Sequence, residues 1–260
     1  MYHVNNINDY DQWKRLARSF IFNKIQPRDI LWNHTGQQAL WSNSNLLEPA
    51  EKITVPKHFI DLAKTLACHK DPEKWGLLYR ILYRIQFEKK HLLKMHHDPD
   101  VKKLFLMLKA IARDCHKMKA FVRFKEIKEK SNFYISWYEP DHYILERTAS
   151  FFKNRFSNMH WLILTPYKSV AWNRTHLSWG GPGNAELYTQ LTDQTEELWD
   201  IFYCSIFNPN RLKIKMMKSE MPIRFWKNLP ESKNILSLIR NAQHESFKML
   251  ERSKKTAANP

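Results

Sequence analysis

The chain has 260 residues, 43% of them hydrophobic, and carries 42 Lys+Arg against 26 Asp+Glu, for a formal net charge of +16. That composition can bury a sizeable core and is too apolar and aromatic for a disordered basic tail. The polar start MYHVNNINDYDQW is not that of a signal peptide, and no apolar run approaches the roughly 18 residues a membrane span needs.

Helical spacing of Trp13, Leu16, Ala17, Phe20 and Ile21 predicts a first helix over 11–25, closed by Pro27. Residues 33–49, rich in Asn, Gln and Ser, read as a loop. Pro56 suits the first turn of a helix running to His69. Asp71-Pro72-Glu73 starts the next, and its pattern of Leu78, Ile81, Leu82 and Ile85 continues towards Met95. Asp98-Pro99-Asp100 repeats the device and opens a helix with Val101, Leu104, Phe105, Leu108, Ile111, Cys115 and Met118 on one face. On its polar side Lys102, Lys109, Arg113 and His116 lie within roughly 60° of one another at 100° per residue. Such a stripe is either a solvated face or a track for a phosphate backbone.

Beyond Ala120 the period changes. Residues 121–124 and 133–137 read as paired strands joined by a charged stretch, and Pro140-Asp141 as the start of a helix to Phe156. Residues 161–164 form a short buried strand, and 170–172 with 177–179 a hairpin around Asn173-Arg174-Thr175-His176. Helices follow over 196–207 and 234–250. The expected class is α+β: a helical first part, a small mostly antiparallel sheet in the middle and C-terminal helices. The expected organisation is one domain over 1–250, with 251–260 as a frayed tail.

Two segments concentrate positive charge. Residues 211–227, RLKIKMMKSEMPIRFWK, hold Arg211, Lys213, Lys215, Lys218, Arg224 and Lys227 around Phe225-Trp226, against the single acid Glu220. Residues 113–124 pack Arg113, Lys117, Lys119 and Arg123 with the titratable His116 into a helix-to-strand junction. Cations neutralise phosphates and flat rings stack on unpaired bases, so both segments point to nucleic acid, with Trp226 or Phe225 as the stacking ring.

Signs of catalysis are sparse. The chain's five Gly include no GxGxxG and no Walker-type phosphate loop. Cys68-His69, His96-His97 and Cys115-His116 lack zinc or deaminase spacing, and the three scattered cysteines, Cys204 among them, cannot supply four thiolates. Neither a metal nor a cofactor is expected. Asp114, His116, Glu139 and His142 are the residual acid–base candidates, with Glu139 to His142 at a strand-to-helix corner. Asp141 reads equally well as a helix cap.

The ordered strings extend this reading. They are Gln12-Trp13-Lys14-Arg15-Leu16-Ala17-Arg18, Leu66-Ala67-Cys68-His69, Asp71-Pro72, Asp98-Pro99-Asp100-Val101, the whole of 113–124, Trp137-Tyr138-Glu139-Pro140, 205–213 and 220–230. In that order they resemble a family of uncharacterised domains assigned to DNA repair or DNA metabolism. The resemblance covers residues 11–250. It implies a domain that stands alone beside a radical-SAM protein, or is fused ahead of a uracil-DNA glycosylase-like domain. The cysteine cluster of that second domain is absent here, so glycosylase chemistry is not carried over.

The function expected is that of a cytoplasmic, DNA-associated accessory protein in repair or base modification, with DNA and such an enzyme as partners and no membrane. Two alternatives stand beside it: an enzyme acting on damaged bases through its own acid–base site, and a protein–protein adaptor without nucleic-acid affinity.

Overall fold

The computed structural model of the chain describes residues 2–4, 7–32, 53–127, 132–185, 188, 219, 221–229 and 232. The expected loop at 33–49, the helices at 196–207 and 234–250 and the tail lie outside these residues. The chain divides into two compact units, one of residues 1–115 and 141–144, the other of 116–140 and 145–260. The fold is α+β, with a small, mostly antiparallel sheet in the middle of the chain.

In the first unit, α1 (Tyr10–Phe22) and α2 (Lys57–Leu66) pack against α3 (Glu73–Phe87). Trp75, Leu77, Leu78, Tyr79, Ile81, Leu82 and Ile85 of α3 are buried, so this helix is apolar on most of its circumference. Trp13 of α1 stacks on Trp75 with ring centroids 6.3 Å apart, and its indole N–H donates to the Trp75 carbonyl at 3.2 Å. The buried Tyr79 hydroxyl donates to Ile25 O at 2.7 Å, which removes the cost of burying it. Strands β1 (Tyr2–Val4) and β2 (Ile30–Trp32) pair in parallel beside these helices, a contact that their brevity hides in the sequence.

Carboxylates fix where the helices begin. Asp9 accepts the Gln12 N–H at 2.8 Å as N-cap of α1. Asp98 does the same for α4 (Pro99–Phe121), accepting from Asp100 and Val101. Asp98 also pairs with Arg84, whose guanidinium reaches Asp100 and Glu88 as well, tying the end of α3 to the start of α4. The helix expected to reach Met95 ends at Phe87 instead, and Leu92–Lys94 form a separate 3-10 turn. Glu88 to His91 are exposed, so no burial holds them helical. Leu92 is fully buried at the position that continued the pattern.

In the second unit, β3 (Lys125–Glu126), β4 (Phe133–Trp137), β5 (His160–Leu164), β6 (Ser169–Trp172) and β7 (Leu177–Gly180) lie in sequence order. Only β4 and β5 run parallel, joined through α5 (Leu145–Arg155), and the other neighbours are antiparallel. Phe152 of α5 meets Trp161 of β5 and Phe124, with Phe156 closing the same aromatic cluster. Gly183 passes close to the sheet: a Cβ there would lie 2.7 Å from Leu164 Cβ.

Two boundaries differ from expectation. No strand forms at 121–124, because the apolar face of α4 carries the helix through Phe121 and the strand begins at Lys125. Arg123 caps that end, donating to Ala120 O at 2.7 Å. The helix expected from Pro140 starts only at Leu145. The His142 N–H goes to Asp114 Oδ2 at 2.9 Å and the Tyr143 N–H to Cys68 O at 2.8 Å, so these amides are satisfied without a helical turn. Asp141 therefore caps no helix.

Candidate nucleic-acid interface

The outer face of α4 is cationic as the spacing predicts: Lys102, Lys109, Arg113, His116 and Lys119 are exposed. Opposite them Val101, Leu104, Ile111 and Met118 are buried. Lys117 is half-buried, and Lys119 Nζ lies 5.2 Å over the Phe151 ring, which holds the ammonium near the surface. Arg123 is half-buried and spends donors on the end of α4.

Of the second cationic segment, Arg211, Lys213, Lys215 and Lys218 lie outside the described residues. Arg224 to Lys227 fall in a 3-10 turn, Ile223–Asn228. Arg224 is exposed, with its guanidinium 4.6 Å from the Phe225 ring centroid. The two rings are placed otherwise than the stacking expectation requires. Phe225 is only 2% exposed and Trp226 8%. Phe225 stacks on Tyr138 at 5.2 Å and on Phe121 at 5.7 Å, while the Trp226 indole donates to Met221 O at 2.9 Å. Neither ring offers a free face to a base, and the expectation of a stacking ring at 225 or 226 is corrected accordingly. The physical reason is apolar packing: Trp226 packs with Leu229, Phe121 and Met221, and Phe225 lies against Tyr138 and Phe121.

This packing has a consequence for the charge. Within the second unit, the contact of Phe121 with Phe225 places the end of α4 beside the turn that carries Arg224. His116, Lys119 and Arg224 are exposed in this unit, Arg224 directly over the Phe225 ring.

Of the acid–base candidates, Asp114 and His142 belong to the first unit and His116 and Glu139 to the second. Glu139 belongs to the second unit and accepts from the Trp137 indole at 2.8 Å, which orients that ring. His116 is exposed whereas Asp114 is 3% exposed: two residues apart, they face opposite sides of α4. Asp114 and His142 meet where the carboxylate accepts the His142 backbone N–H.

Around His142 the first unit builds a polar cluster that sequence reading did not assemble. The His69 and His142 rings lie 4.3 Å apart. Each Nδ1 accepts a backbone N–H, from Asp71 at 3.2 Å for His69 and from Lys70 at 3.3 Å for His142. Both rings are thereby set as the neutral tautomer with the proton on Nε2. Lys74 is 4% exposed and donates to Ala67 O at 2.7 Å and His69 O at 2.5 Å, carbonyls at the end of α2. Burial lowers its pKa to about 8. Its helical phase with Leu78 and Ile81 was the available signal that this lysine faces inward.

The cluster makes stability pH-dependent. Burial first, then the neighbouring His69, Lys70 and Lys74, lower the His142 pKa to about 4, against an opposing pull from Asp141. Burial lowers His69 as well. Between about 4 and the ordinary value of about 6.5, the unfolded chain binds a proton that the folded chain refuses. Stability is therefore complete above that window and falls as pH drops through it, by about 2–3 kcal/mol for His142. Denaturant midpoints at pH 7 and pH 4.5 should show that slope, and His142→Asn should flatten it. An unchanged slope in the variant would remove His142 as its source.

Among the described residues no three His, Cys, Asp or Glu side chains gather as a metal site, and no helix is long and apolar enough to cross a membrane. No curated protein and no solved structure matches the chain. Residues 72–231, more than half of the sequence, match the domain of unknown function DUF4130, and the chain belongs to that family.

Proposed function

We propose that this protein is a DNA-associated accessory factor of a repair or base-modification pathway, acting in the cytoplasm beside a radical-SAM or uracil-DNA glycosylase-like enzyme that performs the chemistry. The observation that carries the reading is the contact of Phe121 with Phe225, residues about a hundred apart in sequence, which brings the exposed Arg224 beside the end of α4 on a chain of net charge +16. Exposed lysine and arginine around a buried aromatic anchor suit a phosphate backbone, whose charge they neutralise with release of counterions. Base stacking by Phe225 or Trp226 is no part of this mechanism.

The test is affinity for single-stranded, duplex and lesion-bearing oligonucleotides, with and without the candidate partner enzyme. Charge reversal at Lys119 and Arg224 together should weaken binding by about tenfold or more and reduce the salt slope by about 2. Binding unaffected by the reversal would reject this surface. Turnover of a damaged oligonucleotide by the purified chain alone would replace the accessory role with an enzymatic one.

A further inference from the structure

A second basic feature belongs to the first unit. The segment leading into α2, the end of α3 and the 3-10 turn at Leu92–Lys94 enclose a groove of about 650 Å³. Its walls carry four basic side chains, His58, Lys90, His91 and Lys94, and no carboxylate among the described residues. The acid nearest in sequence, Glu88, is held by Arg84 at 3.5 Å. Ile85 and Leu93 supply an apolar lining, and the Gln86 side chain donates to Thr54 O at 2.8 Å, fixing one wall to the other.

This combination is selective. An apolar floor disfavours a bare anion, and four basic groups with no carboxylate among the described lining residues disfavour a purely apolar ligand. A ligand that is flat and apolar at one end and anionic at the other satisfies both, as a nucleotide does. The volume falls within the range of about 300–1,000 Å³ typical of small-molecule sites, which accommodates one nucleotide and not a base-paired helix.

We infer that this groove takes an unpaired nucleotide of a DNA strand, its base against Ile85 and Leu93 and its phosphate among Lys90, Lys94, His58 and His91. The inference rests on the DNA-binding reading and adds to it a preference for unpaired over duplex DNA.

The test uses the full chain, a labelled single-stranded oligonucleotide and its matched duplex. Lys90→Glu with Lys94→Glu should weaken single-strand binding by about tenfold and duplex binding by no more than about twofold. Lys64→Glu with Lys89→Glu makes the same change in net charge at exposed lysines outside the groove, and should leave the preference intact. In the unsubstituted protein, the single strand should protect Lys90 and Lys94 from chemical acetylation while Lys89 remains reactive. Equal losses in the two double variants, or no protection, would overturn the groove while leaving the DNA reading standing. Protection by thymidine monophosphate, with oligonucleotide affinity unchanged in the groove variant, would make it a free-nucleotide site and overturn the strand assignment. Failure of the unsubstituted protein to bind any oligonucleotide would overturn both readings.

Discussion

Phe225→Ala should destabilise the protein by about 3–5 kcal/mol, the usual cost of emptying a buried phenylalanine site. The ring is 2% exposed between Tyr138 and Phe121, so its removal leaves a cavity that two other rings can only partly close. Arg224→Ala, one residue away and exposed, should change stability by no more than about 0.5 kcal/mol yet weaken DNA binding. Denaturant midpoints beside oligonucleotide affinities separate the two roles. Phe225→Leu retains much of the volume and should bind DNA like the unsubstituted protein. A base-stacking ring would give the reverse pattern, with affinity lost in the leucine variant and little change in the midpoint.

Asp98→Ala should cost about 2–4 kcal/mol, because the side chain performs two tasks. It caps α4 through the Asp100 and Val101 amides, and it pairs with Arg84 at the join of α3 and α4. Removing it leaves Arg84 with Asp100 and Glu88, so the guanidinium keeps partial compensation. Asp98→Asn retains the capping oxygen and should recover about 1 kcal/mol of the loss. The Arg84 hydrogen bond holds the Asp98 carboxyl below its ordinary pKa. The unfolded chain therefore binds the proton first on acidification. The contribution is complete above the ordinary carboxylate value of about 4 and disappears as pH falls through the lower folded value. The stability gap between the unsubstituted protein and Asp98→Asn should close over that acid range. A gap independent of pH would mean that the charge contributes nothing.

Much of the helical scaffold was legible because burial and spacing agree there. Trp13, Ala17, Phe20 and Ile21 were expected on one face of α1 and are buried together, and the Asp98-Pro99-Asp100 start was read at its observed place. Where distant contacts decide, spacing misled. Leu92 continues the phase of α3, yet the exposed residues between cannot hold a helix. The 141–144 corner gives its amides to Asp114 and Cys68, partners far away in the chain. The charge of the 113–124 and 211–227 segments was plain from composition. Whether the rings beside that charge face out or in was not, since an aromatic residue among lysines reads alike as stacking platform and as anchor. The His69–His142 cluster joins segments about seventy residues apart, and no local pattern signals such a meeting.

The most direct test of DNA binding through a cationic surface is the salt dependence of oligonucleotide affinity for the unsubstituted protein. A log–log plot of affinity against salt should be linear with a slope of about −3 or steeper, as several phosphate contacts require. A flat plot, or no measurable affinity at low salt, would contradict it.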